Sequence, residues 1–124
     1  MPAPSELNRT TYGAVVGRIL ANRREYLGLE QMDIAKKLGI SQPSWSRIER
    51  GETALTLEAL ARVAMALGMT STQILDEAES AKTGLDEMGI EVLLERPRKG
   101  EDMAIAILGG AMLAFLIAKV FSKG

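Results

Sequence analysis

Apolar side chains recur at helical spacing over much of the chain. From Tyr12 to Leu27 they fall at 12, 15, 16, 19, 20, 26 and 27, one stripe of a helix. Gly28 follows the last of them, where a glycine commonly ends a helix. Glu30 to Leu38 repeats the pattern in short form, with Met32, Ile34, Ala35 and Leu38 expected inward and Gly39 as the stop. In the third segment Ser41 is a natural N-cap. Pro43 falls in its first turn, where a missing N–H costs nothing, and Gly51 closes the helix after Arg50. Thr56 caps a fourth helix whose expected apolar set is Leu57, Leu60, Ala61, Val63, Ala64 and Leu67. Thr70 and Gln73 form a capping box, with Met69 and Ile74 as a hydrophobic staple, and open a fifth helix expected to end near Lys82.

The period changes after Gly84. In GIEVLLERP, Ile90, Val92 and Leu94 alternate with Glu91, Leu93 and Glu95, which suits a short strand near 90–95 as well as a short helix. A lone strand is not stable in water, so it would pair with a second copy or lie over the helices. The division expected is an N-terminal arm at 1–11, a five-helix domain at 12–82, a linker or strand at 83–100 and a hydrophobic C-terminal helix at 101–124. The fold class is all-α.

Composition narrows the chemistry. Apolar residues make up 47% of the 124 positions but aromatics only 4%, which favours helices over a sandwich or barrel. Cysteine and histidine are both absent. That removes disulfides, thiol nucleophiles, histidine bases and the zinc sites built on those ligands, so neither an enzyme nor a cofactor or metal site is expected. The net charge of −1 hides an asymmetry. Residues 1–51 carry eight basic against five acidic side chains, and residues 52–124 carry seven against eleven. A basic N-terminal half is the electrostatic footprint of a nucleic-acid binder. The first fifteen residues lack the apolar stretch of a signal peptide, so the chain is expected in the cytoplasm.

Two short helices joined through a turn at Gly39 form a helix-turn-helix arrangement. The stretch GLEQMDIAKKLGISQPSWSRIERGE, followed by LEALARVAMALGM, resembles the Cro/phage-repressor (XRE-like) helix-turn-helix family over about residues 15–75. The resemblance implies a five-helix repressor-like domain that binds double-stranded DNA. It puts Gln31 on a phosphate at the start of the second helix, and it lays the third helix in the major groove. Gln42 would then read a base edge, adenine above all, because its amide can bond N6 and N7 together. Ser44 and Arg47 come next, Pro43 offers apolar contact, and Ser46 touches backbone. Ser41 and Arg50 complete the set. By the same resemblance Trp45 packs in the core, and Arg24 and Glu49 form an internal salt bridge. Glu30 departs from the family pattern, which prefers Ser, Thr or Asn as the cap at that position.

The tail, EDMAIAILGGAMLAFLIAKVFSKG, fits two roles. With Lys119 snorkelling, its apolar run reaches from Met103 to Phe121, nineteen residues or about 28 Å, just short of a ~30 Å hydrocarbon core. Ala106, Gly110, Ala114 and Ala118 form a small-residue ladder at four-residue intervals. One role is an anchor on the inner face of the cytoplasmic membrane, with Arg96, Arg98 and Lys99 on the near side. The other is an oligomerisation helix, buried by copies of itself or by the main domain. The function expected is a sequence-specific transcriptional regulator, a repressor acting as a homodimer on a two-fold operator, with no small-molecule ligand. Its rivals are a membrane-tethered adaptor for a protein partner and an antitoxin that represses its own synthesis.

Overall fold

A computed structural model of the chain describes residues 8–97 and 109–122. Five helices follow one another as α1 (Tyr12–Tyr26), α2 (Gln31–Leu38), α3 (Gln42–Glu49), α4 (Leu57–Ala66) and α5 (Ser71–Glu87). A sixth, α6 (Gly110–Phe121), packs on α1 and α5. Two three-residue strands, β1 (Arg9–Thr11) and β2 (Glu91–Leu93), pair in parallel with Thr10 opposite Val92. The fold is all-α apart from this pair.

The caps act as their chemistry demands. Thr11, Ser41, Thr56 and Thr70 each accept a backbone N–H three residues on, at 3.0–3.2 Å. Gln73 returns the bond to the N–H of Thr70 at 2.9 Å, completing the expected capping box. Glu30 manages its cap position through a neighbour: the Asp33 carboxylate accepts the Glu30 N–H at 2.7 Å. The core is built around α1, which packs on both α3 and α5, and includes Leu20, Ile34, Trp45, Leu67, Ile74 and Leu85, all fully buried.

The structure revises the sequence reading at several places. Residues 9–11 are a strand rather than part of an arm, because the N–H of Glu91 finds the carbonyl of Asn8 at 2.8 Å and the ladder continues from there. The strand near 90–95 therefore has its partner within its own chain, not in a second copy. Helix α5 runs five residues past Lys82. Gly84 does not end it: a Cβ there would stand 2.5 Å from a methyl of Val120, so the glycine makes room for α6 inside a continuous helix. Tyr26, Leu27, Met32, Leu57 and Ala61, expected inward, are exposed. Each sits at a helix end or on an outer face, where the core is already filled by its neighbours.

Leu113 and Ile117 bury one side of α6 in its own domain. Of the small-residue ladder, Gly110 and Ala118 face outward and Ala114 is half-buried, while Ala106 lies outside the described residues. Close approach of α6 is thus made possible by a glycine on the partner helix and not by the ladder on α6 itself. Residues 101–108 of the expected tail helix also lie outside the described residues. Among the described residues, no helix is long and apolar enough to cross a membrane.

Candidate nucleic-acid interface

Helices α2 and α3 are joined by Gly39, Ile40 and Ser41. The turn brings the first residue of α2 beside the first residue of α3. Gln42 donates its side-chain amide N–H to Oε1 of Gln31 at 2.7 Å. Gln31 in turn donates to Oε1 of Glu49 at 2.8 Å. Glu49 also accepts two bonds from Arg24, at 2.6 and 3.2 Å, and one from the indole of Trp45 at 2.6 Å. Arg24 reaches on to the carbonyl of Leu29 at 2.8 Å. Helices α1, α2 and α3 are therefore cross-linked through one nearly buried carboxylate.

This network has a polarity. A carboxylate only accepts, so the amide nitrogen of Gln31 must face Glu49 and its oxygen must face outward. That oxygen then takes an N–H from Gln42. Gln42 is left with its own oxygen and one N–H, side by side, for anything that approaches the start of α3. A donor next to an acceptor is the pattern complementary to the major-groove edge of adenine. The bonds to Glu49 hold the Arg24 guanidinium above its ordinary pKa, outweighing the opposing cost of burial. Arg24 is therefore a fixed positive charge inside the site.

The other candidate residues divide into two groups. Ser41 donates to Ser44 Oγ at 2.8 Å, and Arg47 donates to the same oxygen at 3.3 Å, so these three line one side of α3. Pro43 is exposed in the first turn. Ser46 and Arg50 form the second group, toward the far end of the helix, with Arg50 donating to Ser46 Oγ and forming an ion pair with Glu52 at 2.8 Å. The hydrogen bond from Arg50 holds the Glu52 carboxyl below its usual range. Arg50 is thus held in an ion pair, whereas Arg47 makes none among the described residues. Trp45 is fully buried, and the Arg24–Glu49 pair is formed, as the resemblance implied for both.

Two features escaped the sequence. Glu49 was legible as half of a salt bridge but not as the group that orients Gln31. The only signal was its place one turn after Trp45. A cleft of about 520 Å³ also joins Gln31, Ser46 and Arg50 to Arg18, Arg96 and Gly110. These positions are remote in sequence, and only the packing of α6 and the end of β2 brings them together.

The family model described as a helix-turn-helix domain matches residues 15–76. The structure is also similar to the crystal structure of the clp gene regulator ClgR from Corynebacterium glutamicum. The TM-score is 0.60 and the identity 26%, over 63% of this chain and 83% of that one. No curated protein sequence matches the chain. The matched segment is the one that carries most of α1, all of α2 to α4, the start of α5 and the whole Gln42–Gln31–Glu49 network, and it spans half of the sequence: the chain belongs to the helix-turn-helix domain family.

Proposed function

We propose that this protein is a sequence-specific DNA-binding transcriptional regulator, a repressor that binds a two-fold operator as a homodimer in the cytoplasm. The observation that carries the reading is the Gln31–Gln42 pair at the adjoining N-termini of α2 and α3, with its amide polarity set by Glu49. In this reading the backbone N–H of Gln31, at the start of α2, lies against a phosphate and fixes register, and Gln42 reads the base edge beside it. Ser44, Arg47 and Pro43 extend that contact, while Ser41, Ser46 and Arg50 face the flanking backbone. The similarity to a protein described as a gene regulator supports the same role.

The test is selection of duplexes from a random pool by the full chain, followed by affinity measurements at one fixed salt concentration. An enriched palindromic sequence, whose affinity advantage over random duplex disappears in Gln42→Ala, is the expected result. A pool that stays random after selection would sink the proposal. The membrane-tethered alternative draws less support, because Leu113 and Ile117 of α6 are committed to the domain's own core.

A further inference from the structure

Arg96 lies three positions beyond β2 and outside the segment that matches the helix-turn-helix family, yet it stands against the end of α3. It lines the cleft of about 520 Å³ together with Gln31, Ser46, Arg50 and Glu52. A neighbouring cavity, of about 540 Å³, shares Gly51, Glu52 and Arg96 with that cleft, so the side chain sits beside the turn that leaves α3. The strand ladder delivers it there. β2 pairs with β1, β1 runs directly into α1, and α1 packs on α3.

We propose that Arg96 contacts a phosphate of the DNA backbone beside Arg50, so that the segment after β2 extends the nucleic-acid interface beyond the helix-turn-helix itself. The proposal rests on the reading of the protein as a DNA binder, in which Gln31, Ser46 and Arg50 face the backbone. Two observations carry it. The first is position: those three residues line the same cleft as Arg96, which is exposed. Each DNA strand carries a phosphate about every 3.4 Å of helix axis, so a guanidinium next to Arg50 has a phosphate of its own to meet.

The second is charge. Arg50 donates to both oxygens of Glu52, at 2.8 and 3.3 Å. That bond holds the Glu52 carboxyl below its usual range, and the charges of Arg50, Arg96 and Arg47 act in the same direction, against burial. Three guanidinium groups thus surround one carboxylate, and the local excess is positive. The other carboxylate on the cleft, Glu49, is already engaged by Arg24, Gln31 and Trp45. Arg18, on the same cleft, is bonded to Asn22 and Glu25. Glu95, next to Arg96 in sequence, lines the neighbouring cavity and not this cleft. A positive excess bordering Gln31 and Ser46 complements a phosphate backbone, and the planar fork of a guanidinium suits phosphate oxygens.

Salt titration of duplex binding by the full chain tests this, with circular dichroism to verify folding. Arg96→Gln should lower the slope of log affinity against log salt by about 0.9. Between about 50 and 200 mM salt the wild type then loses about 3.5-fold more affinity than the variant. The change should be equal on the selected duplex and on a random one, because a phosphate carries no sequence information. Arg96→Lys should keep the wild-type slope. So should Lys82→Gln, which removes a charge from α5 that lines neither cavity. Ethylation interference adds the position: one phosphate whose ethylation weakens the wild type should be without effect on Arg96→Gln. An unchanged slope, an equal change in Lys82→Gln, a loss confined to particular base pairs, or identical interference patterns overturns the proposal. An unchanged slope in a chain that selects an operator removes this contact alone. A lowered slope on random duplex, with no sequence selected, removes the sequence-specific reading alone. A chain that binds no duplex removes both.

Discussion

The indole N–H of Trp45 ends on Glu49 Oε2 at 2.6 Å, one turn further along the same helix. The tryptophan is fully buried, so its N–H needs that acceptor, and the carboxylate needs its donors in turn. Glu49→Ala takes the carboxylate from the Arg24 guanidinium and leaves the indole without an acceptor, and should cost about 3–5 kcal/mol of stability. Trp45→Phe removes one donor to a charged group and should cost about 1.5–3 kcal/mol. Urea denaturation followed by circular dichroism checks both. A loss under about 1 kcal/mol for Glu49→Ala would show that the network adds nothing to folding.

The amide chain makes the two glutamines separable in a binding assay. Gln42→Ala should lose about 1–3 kcal/mol of discrimination at one base pair of the selected site and little elsewhere. Gln31→Ala should weaken binding to every sequence, and also relax that same base pair because Gln42 loses the bond that orients it. Arg47→Ala should reduce the salt dependence of binding by about one charge if it meets a phosphate. Affinities on a panel of single-base variants, at two salt concentrations, distinguish the three patterns. Identical profiles for Gln31→Ala and Gln42→Ala would mean that the pair acts as one unit.

Gly84 and Val120 should behave as a coupled pair. Alanine is the better helix former by about 1 kcal/mol, yet its Cβ at position 84 would stand 2.5 Å from Val120. Gly84→Ala alone should therefore destabilise the protein, by the roughly 1–3 kcal/mol of an overpacked contact less that propensity gain. In a Val120→Ala background the same substitution should become stabilising. A double-mutant cycle by thermal melting reads the change of sign, and simple additivity would refute the close contact.

Tyr12 donates its hydroxyl to Glu79 at 2.7 Å, and burial together with that carboxylate pushes its pKa up to about 12 from 10.0. The folded value lies above the unfolded one, so the proton is held more tightly in the native state. Stability from this group is complete below pH 10 and is lost as pH rises from there toward 12. With Tyr26 replaced by phenylalanine, Tyr12 is the sole tyrosine, and its ultraviolet titration should be displaced upward until the chain unfolds. An ordinary midpoint in the folded protein would contradict the bond to Glu79.

Much of the helix-turn-helix unit was legible because its information is local. Caps at Ser41, Thr56 and Thr70, glycines after each helix and the stripe between them lie within a few residues of what they specify. The Gln31–Gln42 pair was legible only as two readers placed by a family pattern. That Glu49 dictates which way their amides turn depends on side chains meeting from three helices. The end of α5 was missed for the opposite reason: the helix continues past Lys82 through Gly84, whose absent side chain answers to Val120, thirty-six positions later. β1 was invisible because Arg-Thr-Thr has no period of its own, and only its distant partner makes it a strand.

That partnership carries a consequence for how the chain is made. Arg9 must wait for Glu91, eighty-two positions downstream, before its ladder can close. At a synthesis rate of roughly 5–20 residues per second, the interval is several seconds or more. By then the five helices between them have emerged and can pack on one another before the strands meet. The two strands therefore work as a clasp that can close only once α1 to α5 have emerged, with α6 still to be added against α1 and α5.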